Sequence, residues 1–171
     1  MLDDAPLIVT LTLDALSQER LDAWRQRYFP AGRNHLAAHL TLFHALPGSE
    51  QDEVTAVLAR EAAAMAPPAV RWGRLARMAR GVMVVAEAPE VRALHGRLAQ
   101  AFAPWLTAQD RQKLAPHVTV MNKATPDEAS EVMAELSASF VPWQGRGEGL
   151  ALWSYAGGPW VARGSFALGG T

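Results

Sequence analysis

The chain has 171 residues, half of them hydrophobic, no cysteine, and a net charge of −1 from 16 basic and 17 acidic residues. This composition predicts one folded domain over residues 1–171, and it excludes global disorder, disulfides, thiolate metal sites and a cysteine nucleophile. Non-specific binding to long duplex nucleic acid needs a broad basic surface, which this charge balance does not favour. A small phosphate ligand or a short RNA end remains compatible with it.

No segment of the sequence is long and apolar enough to cross a membrane. The apolar run Leu7–Leu13 is too short and too β-like for the hydrophobic part of a signal peptide. We therefore expect a cytoplasmic protein with no membrane partner, and we expect it to be a monomer.

The first half of the chain predicts three strands separated by two helices. Alternating β-branched residues indicate the first strand, and helical spacing of apolar residues indicates both helices. The predicted elements are strand Leu7–Leu13, a helix capped by Ser17 and running to about Tyr28, strand 39–46, a helix running from the turn at 47–49 to about Met65, and strand 69–76.

The second half predicts the same order with one extra strand. Its elements are strand 82–87, a helix from Pro89 to Pro104, strand 116–122, a helix with a Thr125 capping box and Pro126 in its first position, and a hairpin of strands 150–155 and 160–168. Because the two halves share one pattern, the sequence predicts a duplicated α+β module.

One strand in each half carries the motif His-x-Thr-x with aliphatic residues at both x positions. The copies are His39-Leu40-Thr41-Leu42 and His117-Val118-Thr119-Val120. Alternate side chains of a strand share a face, so each His lies beside its Thr while the aliphatic residues face the core. Random placement predicts roughly 0.2 His-x-Thr pairs, so two copies with matching flanks indicate a repeat.

These motifs, together with segments 115–120 and 153–168, resemble those of the 2H phosphoesterases, in the 2'-5' RNA ligase and cyclic phosphodiesterase branch. The resemblance covers nearly the whole chain. It implies a two-lobed α+β fold, in which two antiparallel sheets face a central cleft, helices lie outside, and both motifs meet at the cleft. The first motif departs from the second at Ala38, where the second has Pro116; that difference concerns the backbone and not the chemistry.

Two imidazoles across a cleft suit transfer at phosphorus, because one accepts a proton from the attacking oxygen and the other protonates the leaving oxygen. We therefore predict His39 and His117 as catalytic residues. Thr41 and Thr119 are predicted to bind the phosphate, since their hydroxyls can donate to its non-bridging oxygens. This arrangement requires no metal and no cofactor.

Side-chain alternation nominates two further substrate contacts. Phe43 shares a face with His39 and Thr41 and can stack on a base or sugar, with core packing as the alternative. Lys123 lies on the His117 face if that strand continues, and can neutralise a phosphate. A solvated strand end is its alternative.

The remaining histidines carry weaker signals. Alternation places His44 on the opposite face from His39, and His95 lies off the apolar stripe of its helix, which predicts a surface position. A weak metal-site interpretation involves His35, His39 and His44. The spacing of His35 and His39 fits a helical pair of metal ligands, but His39 lies in a predicted strand and His44 on its opposite face. A metal site is therefore not expected.

The leading hypothesis is a metal-independent enzyme acting on 2',3'-cyclic phosphate or 2'-5' linked ends of RNA or small nucleotides. Two alternatives stay open: a phosphodiesterase for a small non-RNA cyclic phosphate, and a module that binds phosphorylated ligands without turnover. The paired His and Thr residues argue against the second, because binding alone would tolerate Arg or Lys there. Ligation and hydrolysis are opposite directions of similar transfers, and the sequence does not select between them.

Overall fold

The computed structural model describes residues 4–169, and this part of the chain contains seven strands and four α-helices. Residues 1–3 and 170–171 of the predicted domain lie outside the described residues. None of the helices in the described part is both long and apolar enough to cross a membrane. The strands are Leu7–Leu13 (β1), Leu40–Leu46 (β2), Ala69–Met78 (β3), Gly81–Glu87 (β4), His117–Met121 (β5), Trp143–Ser154 (β6) and Val161–Ala167 (β7); the helices are Ala15–Tyr28 (α1), Gln51–Ala63 (α2), Pro89–Ala101 (α3) and Pro126–Ser139 (α4).

The strands form one antiparallel path in the order β2-β1-β6-β3-β4-β5, with β7 beside β6. The predicted order of elements along the chain is confirmed. Exchanging the two halves maps the strand path onto itself, because β1, β2 and β3 take the places of β4, β5 and β6. The α+β class is therefore confirmed, and a two-lobed module fits this topology.

The strand β6 joins the two halves of the chain. Residues 143–146 pair with β3, whereas residues 147–154 pair with β1 and residues 149–154 also pair with β7. The sequence predicts a strand only from residue 150, and this is wrong by seven residues. Gly145 and Gly147 weaken the strand signal, but neighbours approach them too closely for a side chain. A Cβ on Gly147 would lie 2.9 Å from a Leu11 methyl carbon.

The N-cap predicted from the sequence is found at α4 but not at α1. The predicted capping box of Thr125 and Glu128 at the start of α4 is confirmed. The N-cap of α1 is Asp14 and not Ser17, because the Ser17 backbone N–H donates to the Asp14 carboxylate at 3.2 Å. The Ser17 hydroxyl instead accepts a hydrogen bond of 3.0 Å from Nε1 of Trp143 in β6. Contact with a distant strand therefore decides between two residues that both suit a cap.

The motif strands β2 and β5 are anchored from behind by the hydrophobic core. Their aliphatic motif residues are at most 2% exposed: Leu40, Leu42, Val118 and Val120. Burial of four such side chains holds both strands firmly, since each contributes about 1.5–3 kcal/mol relative to exposure. The motif His and Thr side chains are only partly buried and lie on the other face.

Replacing Gly145 by Ala should destabilise the protein. The new Cβ would collide with the Ser17 hydroxyl and lie 2.6 Å from Oδ1 of Asp14, so we expect the free energy of unfolding to fall by about 1–3 kcal/mol. Urea denaturation measures this. Gly96→Ala in α3 is the matched control, because its Cβ meets nothing within 4 Å and Ala favours a helix over Gly by about 0.8–1 kcal/mol. Equal stability of the two variants would contradict the packing argument.

Candidate active site

A pocket of about 190 Å³, here called the motif pocket, brings the two motifs together. The strands β2 and β5 that carry them contact each other in the fold. The pocket is lined by both motif histidines, both motif threonines and three further residues: Ile8, His44 and Trp160. Four of the residues nominated from the sequence thus share one cavity.

Both motif imidazoles are held in the same way. Nδ1 of His39 lies 2.8 Å from the Ala37 carbonyl oxygen, and Nδ1 of His117 lies 2.8 Å from the Ala115 carbonyl oxygen. Because a carbonyl oxygen only accepts, each Nδ1 carries the proton and donates it. Nε2 of each ring is therefore left for a ligand, as proton transfer to or from a substrate requires.

The electrostatic environment of His39 favours its neutral form. Burial lowers the pKa of His39, because it disfavours the charged imidazolium. The hydrogen bond to Ala37 opposes this, while the positive charges of Arg25, His117 and His44 lower the pKa further. A ring that is neutral at neutral pH is suited to accept a proton.

Arg25 is a buried cation next to the second motif that the sequence analysis did not nominate. Its residue is 4% exposed, and Nη1 donates to the Thr119 carbonyl at 2.7 Å. Nε donates to Oδ1 of Asn34 and to the Leu36 carbonyl, each at 3.2 Å. Arg25 thus connects α1, the loop before the first motif, and β5. Its position four residues after buried Leu21 is the signal that could have revealed it.

A β-bulge follows the threonine of each motif. The register between β1 and β2 shifts between Thr41 and Phe43, and the register between β4 and β5 shifts between Thr119 and Met121. A bulge inserts one extra residue, so the following side chains change face. Phe43 and Met121 accordingly turn into the core, with 0% and 3% exposure.

The bulge after Thr41 corrects two expectations that rested on alternation, and the end of β5 corrects a third. Phe43 has no exposed surface with which to contact a substrate, because its ring stacks on His95 at 4.7 Å between centroids. His44, expected on the face opposite His39, lines the motif pocket with it. The strand β5 ends before Lys123, which is exposed and has a left-handed φ of 61°.

The predicted surface position of His95 is also wrong. The residue is 6% exposed in α3 and packs flat against Phe43. Burial lowers the pKa of His95, partly opposed by the backbone of Leu42, so the ring packs as a largely uncharged group. An aromatic ring with a polar edge can therefore replace an apolar residue at this core position.

A wider groove of about 740 Å³, here called the basic groove, adjoins the motif pocket and shares His39, Thr119 and Trp160 with it. Among the described residues, the lining of this groove contains no Asp or Glu. Its cations and aromatic rings include Arg25, Arg33, Lys123, Phe29 and Tyr155. The Trp160 ring lies 4.9 Å from the His39 ring and lines both the groove and the pocket. The combination suits a phosphate-bearing ligand with an apolar part.

The sequence model of the 2'-5' RNA ligase superfamily matches residues 13–159. The chain belongs to this superfamily. The comparison with curated proteins found no match. The model spans both motifs and most of the strands that position them, and it agrees with the resemblance seen in the sequence.

Solved structures share the fold of this superfamily member. E. coli LigT in complex with 3'-AMP superposes with a TM-score of 0.66 at 18% identity, over 96% of this chain and 98% of LigT. TT0787 of Thermus thermophilus gives a TM-score of 0.69 at 18% identity, over 95% and 97%. Further LigT crystal structures contain phosphate, ATP or NADP+. At this identity the likeness establishes the fold.

The weak metal hypothesis concerned His35, His39 and His44. His35 lines the basic groove and not the motif pocket. Within residues 4–169 of this superfamily member, no group of three or more His, Asp or Glu side chains is arranged to hold a metal ion.

Replacing His117 by Asn should raise the pKa of His39. Burial, the largest cause of the lowered pKa, stays in place, but the substitution removes one of the neighbouring positive charges that add to it. NMR titration of the imidazole protons measures the change. His35→Asn is the matched control, because His35 is exposed and is not among the groups that shift the pKa of His39. A lower pKa of His39 in His117→Asn would contradict the electrostatic description of the pocket.

Proposed function

We propose that this protein is a cytoplasmic, metal-independent phosphoesterase that acts on 2',3'-cyclic phosphate or 2'-5' phosphodiester ends of RNA or small nucleotides. The observation that carries the proposal is the motif pocket, in which two imidazoles with the same free ring nitrogen face one space beside two threonines. Membership of the 2'-5' RNA ligase superfamily supports it. So does the presence of 3'-AMP in a crystal structure of E. coli LigT.

The two histidines divide the proton transfers between them. In-line displacement at phosphorus places the attacking and leaving oxygens on opposite sides, so each needs its own proton carrier. His39 is the base in hydrolysis, because its lowered pKa favours the neutral ring. His117 is the acid that protonates the leaving oxygen. In the ligation direction the same groups exchange roles.

The threonines bind the phosphate in this proposal. Thr41 and Thr119 each lie two residues after a motif histidine, on the side of the strand that faces the pocket. The Thr119 hydroxyl lies 3.9 Å from the Met78 sulfur, which is a weak acceptor. A phosphate oxygen is a stronger acceptor and can replace it, so the hydroxyl is available where charge develops in the transition state.

The nucleoside next to the reacting phosphate lies in the basic groove in this proposal. Trp160 offers an apolar wall beside His39, and Lys123 at the rim can neutralise a second phosphate of a longer chain. Both motifs and the groove belong to one chain, so a monomer is sufficient for the reaction.

Replacing either motif histidine by Ala should reduce turnover by about 10²–10⁴-fold, the usual value of a general acid or base. Thr41→Ala and Thr119→Ala should be milder, because a lost hydrogen bond costs about 1 kcal/mol, or more as its partner gains charge. Initial rates on a 2',3'-cyclic nucleotide measure both effects, and circular dichroism verifies the fold. Thr55→Ala in α2, away from the pocket and the groove, is the control for the threonines. Activity within threefold of the native rate in either histidine variant would reject the catalytic roles.

The proposed function is tested with 2',3'-cyclic nucleotides, 2'-5' dinucleotides and cyclic-phosphate-ended RNA in the presence of excess EDTA. We expect turnover of at least one of them, because two imidazoles supply the proton transfers. We also expect one regioisomer from a cyclic nucleotide, since a pocket made by two unlike halves holds the ribose one way round. Membership of the 2'-5' RNA ligase superfamily favours the 2'-phosphate as that product. Chromatography against authentic 2'- and 3'-monophosphates identifies the product.

The other outcomes separate the alternatives. A dominant 3'-phosphate would reject the 2'-5' specificity while leaving the two-histidine mechanism in place. Activity lost in EDTA and restored by zinc or manganese would overturn metal independence. Nucleotide binding without turnover of any of these compounds would favour a binding module.

A further inference from the structure

His44 is the third imidazole of the motif pocket, and a carboxylate holds it. Its Nδ1 lies 2.9 Å from Oδ1 of Asp110, in the loop before the second motif. Asp110 is 3% exposed and also accepts from the backbone N–H groups of His44 and Ala45, at 3.0 Å each. None of these residues belongs to a His-x-Thr motif.

Asp110 is ionised at neutral pH. Burial by itself raises the pKa of Asp110, but the hydrogen bonds from the His44 ring and from the two backbone N–H groups outweigh it, and the pKa lies below its ordinary value. An ionised carboxylate only accepts, so Nδ1 of His44 carries the proton. Nε2 is then left for the pocket, as in His39 and His117.

The partner of each ring separates His44 from the motif histidines. His39 and His117 donate to neutral carbonyl groups, whereas His44 donates to a buried negative charge. A carboxylate at one ring nitrogen orients an imidazole and stabilises positive charge on it. Within residues 4–169 the buried Asp110 carboxylate has the His44 ring as its side-chain partner, and the backbone N–H groups of His44 and Ala45 complete its hydrogen bonds.

We propose that His44 is a substrate-binding residue that donates from Nε2 to an anionic phosphate oxygen, and that Asp110 is the positioning residue that holds it. This inference rests on the proposed function, because it assigns His44 to the same phosphate. A cyclic phosphodiester carries one negative charge and gains more as the attacking oxygen arrives. The threonines are neutral donors, whereas an imidazole between the Asp110 carboxylate and a bound phosphate donates from both ring nitrogens as a cation.

Isothermal titration calorimetry with adenosine 2'-monophosphate and with inorganic phosphate tests the proposal. His44→Gln should weaken binding of both ligands by roughly tenfold or more, as expected for a hydrogen bond to a charged group. Asp110→Asn should weaken it similarly, and the double variant should bind no more weakly than His44→Gln, because Asp110 acts through His44. His44→Arg, which supplies cationic N–H donors at this position, should recover part of the affinity.

Arg111→Gln is the matched control. Arg111 is an exposed cation next to Asp110 on the same loop and lines neither the motif pocket nor the basic groove. Its loss should change affinity by less than about twofold, since exposed charges at a distance are screened by salt. An equal loss in Arg111→Gln and His44→Gln would mean general attraction of anions and would overturn the proposal.

The experiment also separates a structural role of this pair from a binding role. His44→Gln keeps the backbone N–H groups that bind Asp110, so a purely structural tether predicts unchanged ligand affinity. Unchanged affinity with normal turnover of a cyclic nucleotide would reject the role of His44 and leave the proposed function intact. Phosphate binding that depends on His44, without turnover by the native protein, would reject the function and leave the role of His44. If Asp110→Asn fails to fold, the affinities of His44→Gln and His44→Arg test the proposal. Failure of the native protein to bind either ligand would overturn the proposal.

Discussion

The backbone pairing of β6 with both β1 and β3 holds the two halves of the molecule together, and the position of each motif follows from it. The first motif strand, β2, pairs with β1, and the second, β5, pairs with β4, which pairs with β3. Each motif is therefore connected to β6 through a ladder of antiparallel hydrogen bonds. Such ladders are well-defined in register where one face is buried. Glycines in the first part of β6 permit the close approach of α1 and β1 that this arrangement requires.

Contacts between the halves complete the site. Arg25 from α1, in the first half, donates to the Thr119 carbonyl of the second motif. His95 from α3, in the second half, stacks on Phe43 just beyond the first motif. Each motif strand is thus supported by a residue from the other half of the chain. The motif pocket is consequently a product of both halves.

The three imidazoles of the pocket are of one residue type but have different environments. All three are held through Nδ1, so the same ring nitrogen remains for a ligand. Burial and nearby cations favour the neutral form of His39, whereas a buried carboxylate accompanies His44. Different neighbours around like titratable groups are a general way to run proton transfer near neutral pH, and in the proposed mechanism they separate the roles of the three rings. The distinction lies in the neighbours of each ring.

The sequence by itself determined the α+β class, the repeated order of elements, the helix capped by Thr125 and the superfamily. These follow from patterns between residues near in the chain, such as strand alternation, helical spacing and local caps. The chemical roles drawn from the motifs stay proposals. Tertiary structure alone decided the faces of Phe43 and His44, the burial of His95, the contact of Arg25 with Thr119, the pairing of Asp110 with His44, and the start of β6. Each of these depends on partners far away in the sequence. A bulge moves the later side chains of a strand to its other face. Close neighbours leave room only for glycine in the first part of β6, where local propensity does not favour a strand.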